Sequence, residues 1–186
     1  MEQGDKMRTY KVTNNKKNYI TNNKRNIFDS IHAQVSAKAN GSNAILINIC
    51  HNQKNDVNFF SKEIYQKYPI ALTSREMLGK TSIGKFQHVL VHYNKEYGHK
   101  TCVANIYACS GNQSRKKRSI NYYAFGRSLH QLSAYIKSSI NTSESPTSKI
   151  FIHQKSFLFT GCNWVFLDSL IDDIIPDIEV EIYDQQ

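Results

Sequence analysis

The sequence has few cysteines and no paired cysteine motif. Its four cysteines are Cys50, Cys102, Cys109 and Cys162, and none forms a C-x-x-C pair. That density excludes a disulfide scaffold, and the polar, Asn- and Lys-rich N-terminus is unlike an apolar export signal. We therefore expect an intracellular, cytoplasmic protein with reduced thiols.

Long apolar runs and the usual ligand motifs are also missing. No stretch approaches the roughly 18 to 20 apolar residues of a membrane span, so no membrane partner is expected. His88 and His92 share a face of a predicted strand but lie too far apart to ligate one metal. Gly79-Lys80-Thr81 lacks the first glycine of a phosphate-binding loop. The sequence thus predicts neither a metal nor a cofactor.

Charge is unevenly placed along the chain. The formal net charge is +9, and the first 26 residues are rich in lysine and arginine. A second basic cluster is formed by Arg115, Lys116, Lys117 and Arg118. Basic clusters attract polyanions, which makes nucleic acid or an acidic partner a candidate ligand. The alternative is a solvated surface segment without a partner.

The pattern predicts one domain preceded by a tail. Residues 1–26 are expected to form a mobile tail with at most one edge strand, near residues 10–12 or 19–20. Residues 27–186 alternate strands with helices. The predicted strands are residues 45–50, 86–93, 101–108, 149–152 and 178–181, and the predicted helices are residues 59–68, 119–140 and 164–175. This alternation predicts an α/β fold, a three-layer sandwich with a mixed, largely parallel central sheet.

Two polar loops follow predicted strands and lead into helices, at residues 51–58 and 153–163. The carboxyl ends of parallel strands meet at one edge of a sheet, where open α/β proteins bind ligands. The second loop ends at a helix N-terminus, whose backbone N–H groups and dipole favour an anion. We expect the loops to clamp a phosphate-bearing ligand, the alternative being that both are plain polar connections.

Cysteine and histidine also allow a nucleophilic pair. Cys50 is followed by His51, and Cys162 lies in the second polar loop, where a distant histidine can approach it. A buried structural cysteine is the commoner role for this residue type and is the favoured interpretation.

Six short motifs, in this order along the chain, resemble the macrodomain family. They are Ile45–Asn52, Ile64–Pro69, Leu78-Gly79, Val103–Tyr107, Arg118–Leu129 and Gly161–Trp164. The resemblance covers the chain from about Ile27 onward. It is strongest to the branch that processes ADP-ribose phosphate or removes ADP-ribose from proteins, often found in viruses and bacteria. The resemblance implies a macrodomain-like sandwich with a cleft for ADP-ribose.

The resemblance also implies roles for individual residues. Asp29 takes the position of an adenine contact, and His51 or Asn52 takes that of the ribose-binding asparagine. Asp56 and Asn58 belong to the same first loop. The second loop, expected around the diphosphate, contributes Phe157, Phe159, Thr160, Gly161, Cys162 and Asn163.

The chain departs from the family at both ligand loops. Val57 and Phe59 stand where the first loop has glycines, so the close backbone approach that glycine permits is lost there. Thr160 stands where some hydrolytic members have an aspartate. The resemblance therefore implies binding of ADP-ribose or a related NAD-derived nucleotide, with weak or absent ADP-ribosyl hydrolase or ADP-ribose-phosphate phosphatase activity.

The alternative is a pseudo-macrodomain that acts as a protein- or nucleic-acid-interaction module. In that interpretation Phe157 and Phe159 plug the cleft, and the basic clusters make the contacts. Nucleotide binding and interaction through charge differ in their dependence on salt, which provides a test.

Overall fold

The computed structural model describes residues 17–20, 26–37, 43–53, 58–110, 120–139, 147–157 and 160–183. The described strands are β1 (Lys17–Ile20), β2 (Asn43–His51), β3 (Phe86–Tyr93), β4 (Lys100–Cys109), β5 (Ser148–His153) and β6 (Glu179–Tyr183). The described α-helices are α1 (Ile27–Ser36), α2 (Phe59–Lys67), α3 (Pro69–Leu78), α4 (Tyr122–Ser139) and α5 (Trp164–Ile174). A short 3₁₀ turn, Gln154–Phe157, follows β5.

The strands form one mixed sheet in the order β1-β6-β5-β2-β4-β3. Every neighbouring pair is parallel except β3 with β4, which is antiparallel and places β3 at an edge. The central strand β2 is buried along almost its whole length. A strand covered on both faces reads as a continuous apolar run, which is why the sequence identified this strand.

Two apolar clusters cover the two faces of the sheet. One is built with α4 and α5 and includes Phe125, Leu129 and Leu167. The other is built with α1, α2 and α3 and includes Phe28 and Phe60. The predicted three-layer α/β sandwich with a largely parallel sheet is therefore confirmed. Among the described helices, none combines the length and apolar content needed to cross a bilayer.

Two helices were not predicted from the sequence. α1 starts after Asn26, whose side chain accepts a hydrogen bond from the Phe28 N–H at 2.9 Å. α2 ends before Pro69 as expected, but Pro69 also begins α3. Proline is well suited to the first turn of a helix, where a backbone N–H would have no partner within the helix. Pro69 therefore stands both after the end of α2 and at the beginning of α3.

The edge strand predicted near residues 19–20 is confirmed, whereas the predicted start of α4 differs from the structure. β1 includes residues 19–20 and pairs with β6 at the edge of the sheet. The predicted helix over residues 119–140 begins with Ser119, which lies outside the described residues. The Ala124 N–H at the start of α4 instead donates to Asn121 Oδ1 at 2.9 Å. Asn121 therefore performs the capping role.

Candidate ligand-binding site

The two polar loops follow neighbouring strands and leave the sheet on opposite faces. β2 and β5 are parallel and hydrogen-bonded to each other. After β2 the chain enters α2, which packs on one face, whereas after β5 it enters α5 on the other. This is the topological switch point of an open α/β sheet, where a crevice forms outside the carboxyl ends of the strands.

The first loop begins with His51 and Asn52 at the end of β2. His51 is buried and follows an irregularity in the pairing with β4. The Asn52 N–H donates to the Cys109 carbonyl at 3.0 Å, and its carbonyl accepts from the Thr81 N–H at 3.3 Å. In the described part of the chain, the buried Asn52 Oδ1 has no hydrogen-bond partner. The backbone of Asn52 is therefore held on both sides, while its side-chain oxygen can accept a hydrogen bond from a donor on another molecule.

Asn58 closes the first loop as the N-cap of α2. Its Oδ1 accepts from the Ser61 N–H at 2.7 Å, and its Nδ2 donates to the Ile49 carbonyl at 2.6 Å. Both groups of this side chain thus join the helix to β2. The ligand contact expected of Asn58 stays a prediction, and Asp56 lies outside the described residues.

Phe157 is turned into the protein. It is 2% exposed and packs edge-on against Phe125 and Trp164, with ring centroids 5.8 Å and 5.6 Å away. An aromatic side chain in that position anchors the 3₁₀ turn to the core. Phe157 therefore presents no ring face to the crevice in this structure, and Phe159 lies outside the described residues.

The residues that follow show which parts of the second loop face outward. The Thr160 hydroxyl donates to the Phe157 carbonyl at 2.6 Å, and Cys162 Sγ lies 3.7 Å from the same oxygen. Gly161 is exposed, with a φ of 62°. Positive φ is easily adopted by glycine only, so the turn depends on this residue. What the loop offers a ligand here is backbone rather than the Thr160 or Cys162 side chain.

The loop ends at the N-terminus of α5. The Asn163 side chain caps this helix by accepting from the Val165 N–H at 3.1 Å. The Asn163 N–H donates to the Tyr122 hydroxyl oxygen at 2.7 Å. Since that oxygen accepts the bond, the hydroxyl proton of Tyr122 is available for a bond to an anion at the helix N-terminus.

Asp29 lies at the same edge of the sheet. It occupies the first turn of α1 and is exposed. Its neighbour Phe28 packs against Phe60, with ring centroids 6.3 Å apart, and the Phe60 ring lies 4.7 Å from that of His153 at the end of β5. The start of α1 therefore lies near the carboxyl end of β5. The adenine contact expected of Asp29 stays a prediction.

Ser156 was missed by the sequence analysis. It is 1% exposed, in the 3₁₀ turn after β5, and its Oγ has no hydrogen-bond partner within the described residues. A buried hydroxyl without a partner is costly unless another molecule satisfies it. Nothing in the sequence distinguishes Ser156 from the polar residues Gln154 and Lys155 that precede it. Together with Asn52, Ser156 places an unsatisfied oxygen in each of the two loops.

Cys50 does not have the properties of a nucleophile. It is buried, and burial raises the pKa of its thiol to about 11, against the opposing effects of Arg75 and Tyr65. The reactive form of cysteine is the thiolate, which is therefore scarce at neutral pH. The structure supports the structural role favoured from the sequence.

The available catalytic groups are few. In the described residues of the two loops there is no carboxylate, and the ionisable side chains of the strand ends and turn are His51, His153 and Lys155. Hydrolysis needs a general base or a positioned water. The basic cluster of Arg115, Lys116, Lys117 and Arg118 lies outside the described residues.

No protein-family model matches the chain, and no curated protein matches it either. Several solved structures nevertheless resemble it. A protein of unknown function from Bacteroides thetaiotaomicron is 15% identical, with a TM-score of 0.64 over 91% of this chain and 98% of that chain. A macrodomain protein from Streptomyces coelicolor is 16% identical, with a TM-score of 0.59 over 82% of this chain and 95% of that chain.

A third similar structure contains a ligand. The DarTG protein of Thermosipho africanus, solved in complex with ADP-ribose, is 12% identical, with a TM-score of 0.56 over 76% of this chain and 38% of that chain. Identities this low define a shared fold. The fold implied by the sequence resemblance is thereby confirmed: the chain has the macrodomain fold.

Proposed function

Because the chain has the macrodomain fold, we propose that it binds ADP-ribose or a related NAD-derived nucleotide in the crevice between the loops after β2 and β5. The observation that carries this proposal is the pair of buried, unsatisfied oxygens, Asn52 Oδ1 and Ser156 Oγ, one in each loop among the described residues. A polar ligand in the crevice would satisfy both. The ADP-ribose complex of the similar Thermosipho protein supports the choice of ligand.

Each part of the ligand has a matching feature. The diphosphate would lie against Gly161 and Asn163, where the helix N-terminus and the Tyr122 hydroxyl favour an anion. The terminal ribose would contact the first loop at Asn52. The adenine would lie toward Asp29 at the start of α1. These assignments follow the family resemblance and the common edge that the three segments share.

We further propose that any ADP-ribosyl hydrolase activity is weak or absent. The described loop residues supply no carboxylate, and the hydroxyl of Thr160 is directed to the Phe157 carbonyl rather than toward the crevice. Stabilisation of a transition state requires groups already oriented toward the reacting atoms. The protein would then act as a nucleotide-binding domain.

Isothermal titration calorimetry tests the proposal. ADP-ribose, ADP and AMP are titrated separately into the full chain, and release of ADP-ribose from modified protein is assayed in parallel. We expect binding of ADP-ribose and little or no release. Absence of ADP-ribose binding at millimolar concentration would refute the binding function, and rapid release would refute the weak-activity proposal.

Tyr122→Phe is expected to weaken ADP-ribose binding by about 0.5–1.5 kcal/mol, because it removes the hydroxyl that connects the Asn163 N–H to the anion. The phenyl ring keeps its packing against Phe166, whose ring centroid lies 4.8 Å away. Calorimetry with ADP-ribose measures the effect. Tyr135→Phe, on the same helix, is the control, and an equal loss in both variants would contradict the assigned role.

One observation favours the alternative, an interaction module. Beside the second loop the surface exposes Tyr123, Val165 and Phe166. In that case charge would carry the binding. Neutralising Arg115, Lys116, Lys117 and Arg118 would weaken RNA or protein binding and flatten its dependence on salt, while Gly161→Val would leave it intact. The opposite pattern supports the nucleotide site.

A further inference from the structure

Arg75 joins three separate parts of the chain. It projects from α3, is 3% exposed, and its Nη1 donates to the Tyr65 hydroxyl of α2 at 3.4 Å. Its Nη2 donates to the Gln53 carbonyl at 3.1 Å. Gln53 is the second residue after β2, immediately beyond Asn52. One guanidinium therefore holds the backbone of the first loop to two helices.

The acceptor on α2 is itself held in place. The Tyr65 oxygen also accepts from Asn48 Nδ2 of β2 at 3.1 Å, and the same nitrogen donates to Asn105 Oδ1 of β4 at 2.7 Å. The Tyr65 hydroxyl also lies 3.8 Å from Cys50 Sγ, within hydrogen-bonding distance of sulfur. The position of Arg75 is thus tied to the two central strands.

The protonation pattern of this cluster is stable around neutral pH. Burial raises the pKa of Tyr65 far above its usual value, and burial likewise raises the pKa of Cys50 to about 11. Burial lowers the pKa of Arg75, but its hydrogen bond to Tyr65 and the other groups around it together raise the pKa of the guanidinium above its usual value. The donors and acceptors therefore keep one arrangement across the physiological range.

We propose that Arg75 is a positioning residue for the candidate ligand site: by fixing the Gln53 carbonyl it sets the position of Asn52 and Gln53 after β2, and with it the affinity for the ribose that Asn52 would contact. The proposal rests on the proposed nucleotide-binding function. Arginine is suited to this role because its rigid fork presents donors to two acceptors at once. Lysine carries a single ammonium on a flexible stem and cannot reproduce both directions.

A purely structural role makes a different prediction. If Arg75 only stabilises the packing of α3, its replacement lowers the melting temperature and weakens the binding of every ligand by the same factor. If it positions the first loop, the loss falls on ligands that carry the terminal ribose. ADP-ribose and ADP separate the two roles, because they share the adenosine and the diphosphate but only ADP-ribose has the second ribose.

The experiment compares Arg75→Lys and Tyr65→Phe with wild type, using Arg127→Lys, an exposed arginine of α4, as the control. Calorimetry measures ADP-ribose and ADP binding by each protein. We expect Arg75→Lys to weaken ADP-ribose binding about tenfold and ADP binding less than about twofold. Tyr65→Phe, which removes one of the two acceptors, should act in the same direction but less strongly.

Hydrogen exchange supplies a measurement that needs no ligand. Amides of Asn52 and Gln53 should exchange faster in Arg75→Lys than in wild type, while those of Ile45–Ile49 stay protected. Equal losses for ADP-ribose and ADP, or unchanged affinity with unchanged exchange, would overturn the positioning role. Wild-type protein that binds neither nucleotide would instead overturn the proposed function, and exchange would then decide alone whether Arg75 holds the loop.

Discussion

Gly161→Val is expected to weaken ADP-ribose binding by about 1–3 kcal/mol, because in the proposed site the added side chain would stand where the diphosphate approaches the backbone. Gly161 has a φ of 62° and lies three residues before Trp164, the first residue of α5, with only Cys162 and the cap Asn163 between them. A β-branched residue resists that backbone conformation, so the turn itself is also distorted. Calorimetry of the variant with ADP-ribose, alongside its melting temperature, measures both effects.

Gly98→Val is the matched control. Gly98 has a φ of 71°, and a Cβ built there meets no atom within 4 Å. It lies in the turn between β3 and β4, at the amino end of β4 and therefore at the edge of the sheet opposite the candidate site. The two variants carry the same kind of backbone strain. Equal loss of ADP-ribose binding in both would show that strain, and not the blocked phosphate approach, explains the result.

Asn48→Leu is expected to destabilise the fold by about 2–4 kcal/mol, because it leaves several buried polar groups without partners. Asn48 is 0% exposed; its Nδ2 bonds to Tyr65 and Asn105, and its Oδ1 accepts from the Ser61 hydroxyl at 2.6 Å. The side chains are similar in volume, so loss of hydrogen bonds dominates over packing. Urea denaturation monitored by circular dichroism measures the change.

The control for that experiment is Gln66→Leu on α2, an amide-to-leucine change at an exposed position. It should alter the free energy of unfolding by no more than about 0.5 kcal/mol. A loss below about 1 kcal/mol for Asn48→Leu would contradict the account of a fully bonded polar cluster, since such a cluster is expensive to break at any single member.

The strands were predictable because burial leaves a direct trace in composition. β2 and β4 are apolar almost throughout, and α5 shows its apolar stripe between a capping asparagine and Pro176. The helices α1 and α3 lacked so clear a trace. α1 carries Asp29 and His32 among its apolar residues. α3 follows α2 with only Tyr68 between them, and the predicted helix over residues 59–68 ends just before Pro69. Local pattern cannot show that a new helix starts at the residue that stops the previous one.

The position of the candidate site in the fold could be predicted from the sequence, but the directions of its side chains could not. The positions of the two loops follow from strand order, which the alternating pattern implies. Loops have no period from which to read an inward or outward direction, so the sequence alone does not distinguish Phe157 and Thr160 from Gly161 as ligand contacts. The structure places the first two against the protein interior and leaves Gly161 exposed. The predicted roles of Asp56 and Phe159 stay predictions.

The polar cluster beneath the first loop was beyond sequence reasoning. Asn48 and Asn105 each interrupt an apolar strand, and each alone reads as an isolated exception. Their meaning comes from the register of β2 with β4, which sets these two residues side by side. Arg75 and Lys80 are both basic residues in the same stretch of sequence, and the sequence does not show that Arg75 is buried while Lys80 is exposed.

The pairing of β1 with β6 joins the first strand of the sheet to the last. A contact between such distant segments closes a very long loop, and its entropic cost slows formation relative to pairings between near neighbours. During synthesis, β1 leaves the ribosome long before β6 exists, so it has no partner strand until translation of the sheet is complete. The edge formed by β1 is therefore assembled after the core strands, and ribosome-bound chains that lack β6 expose β5 as a temporary edge.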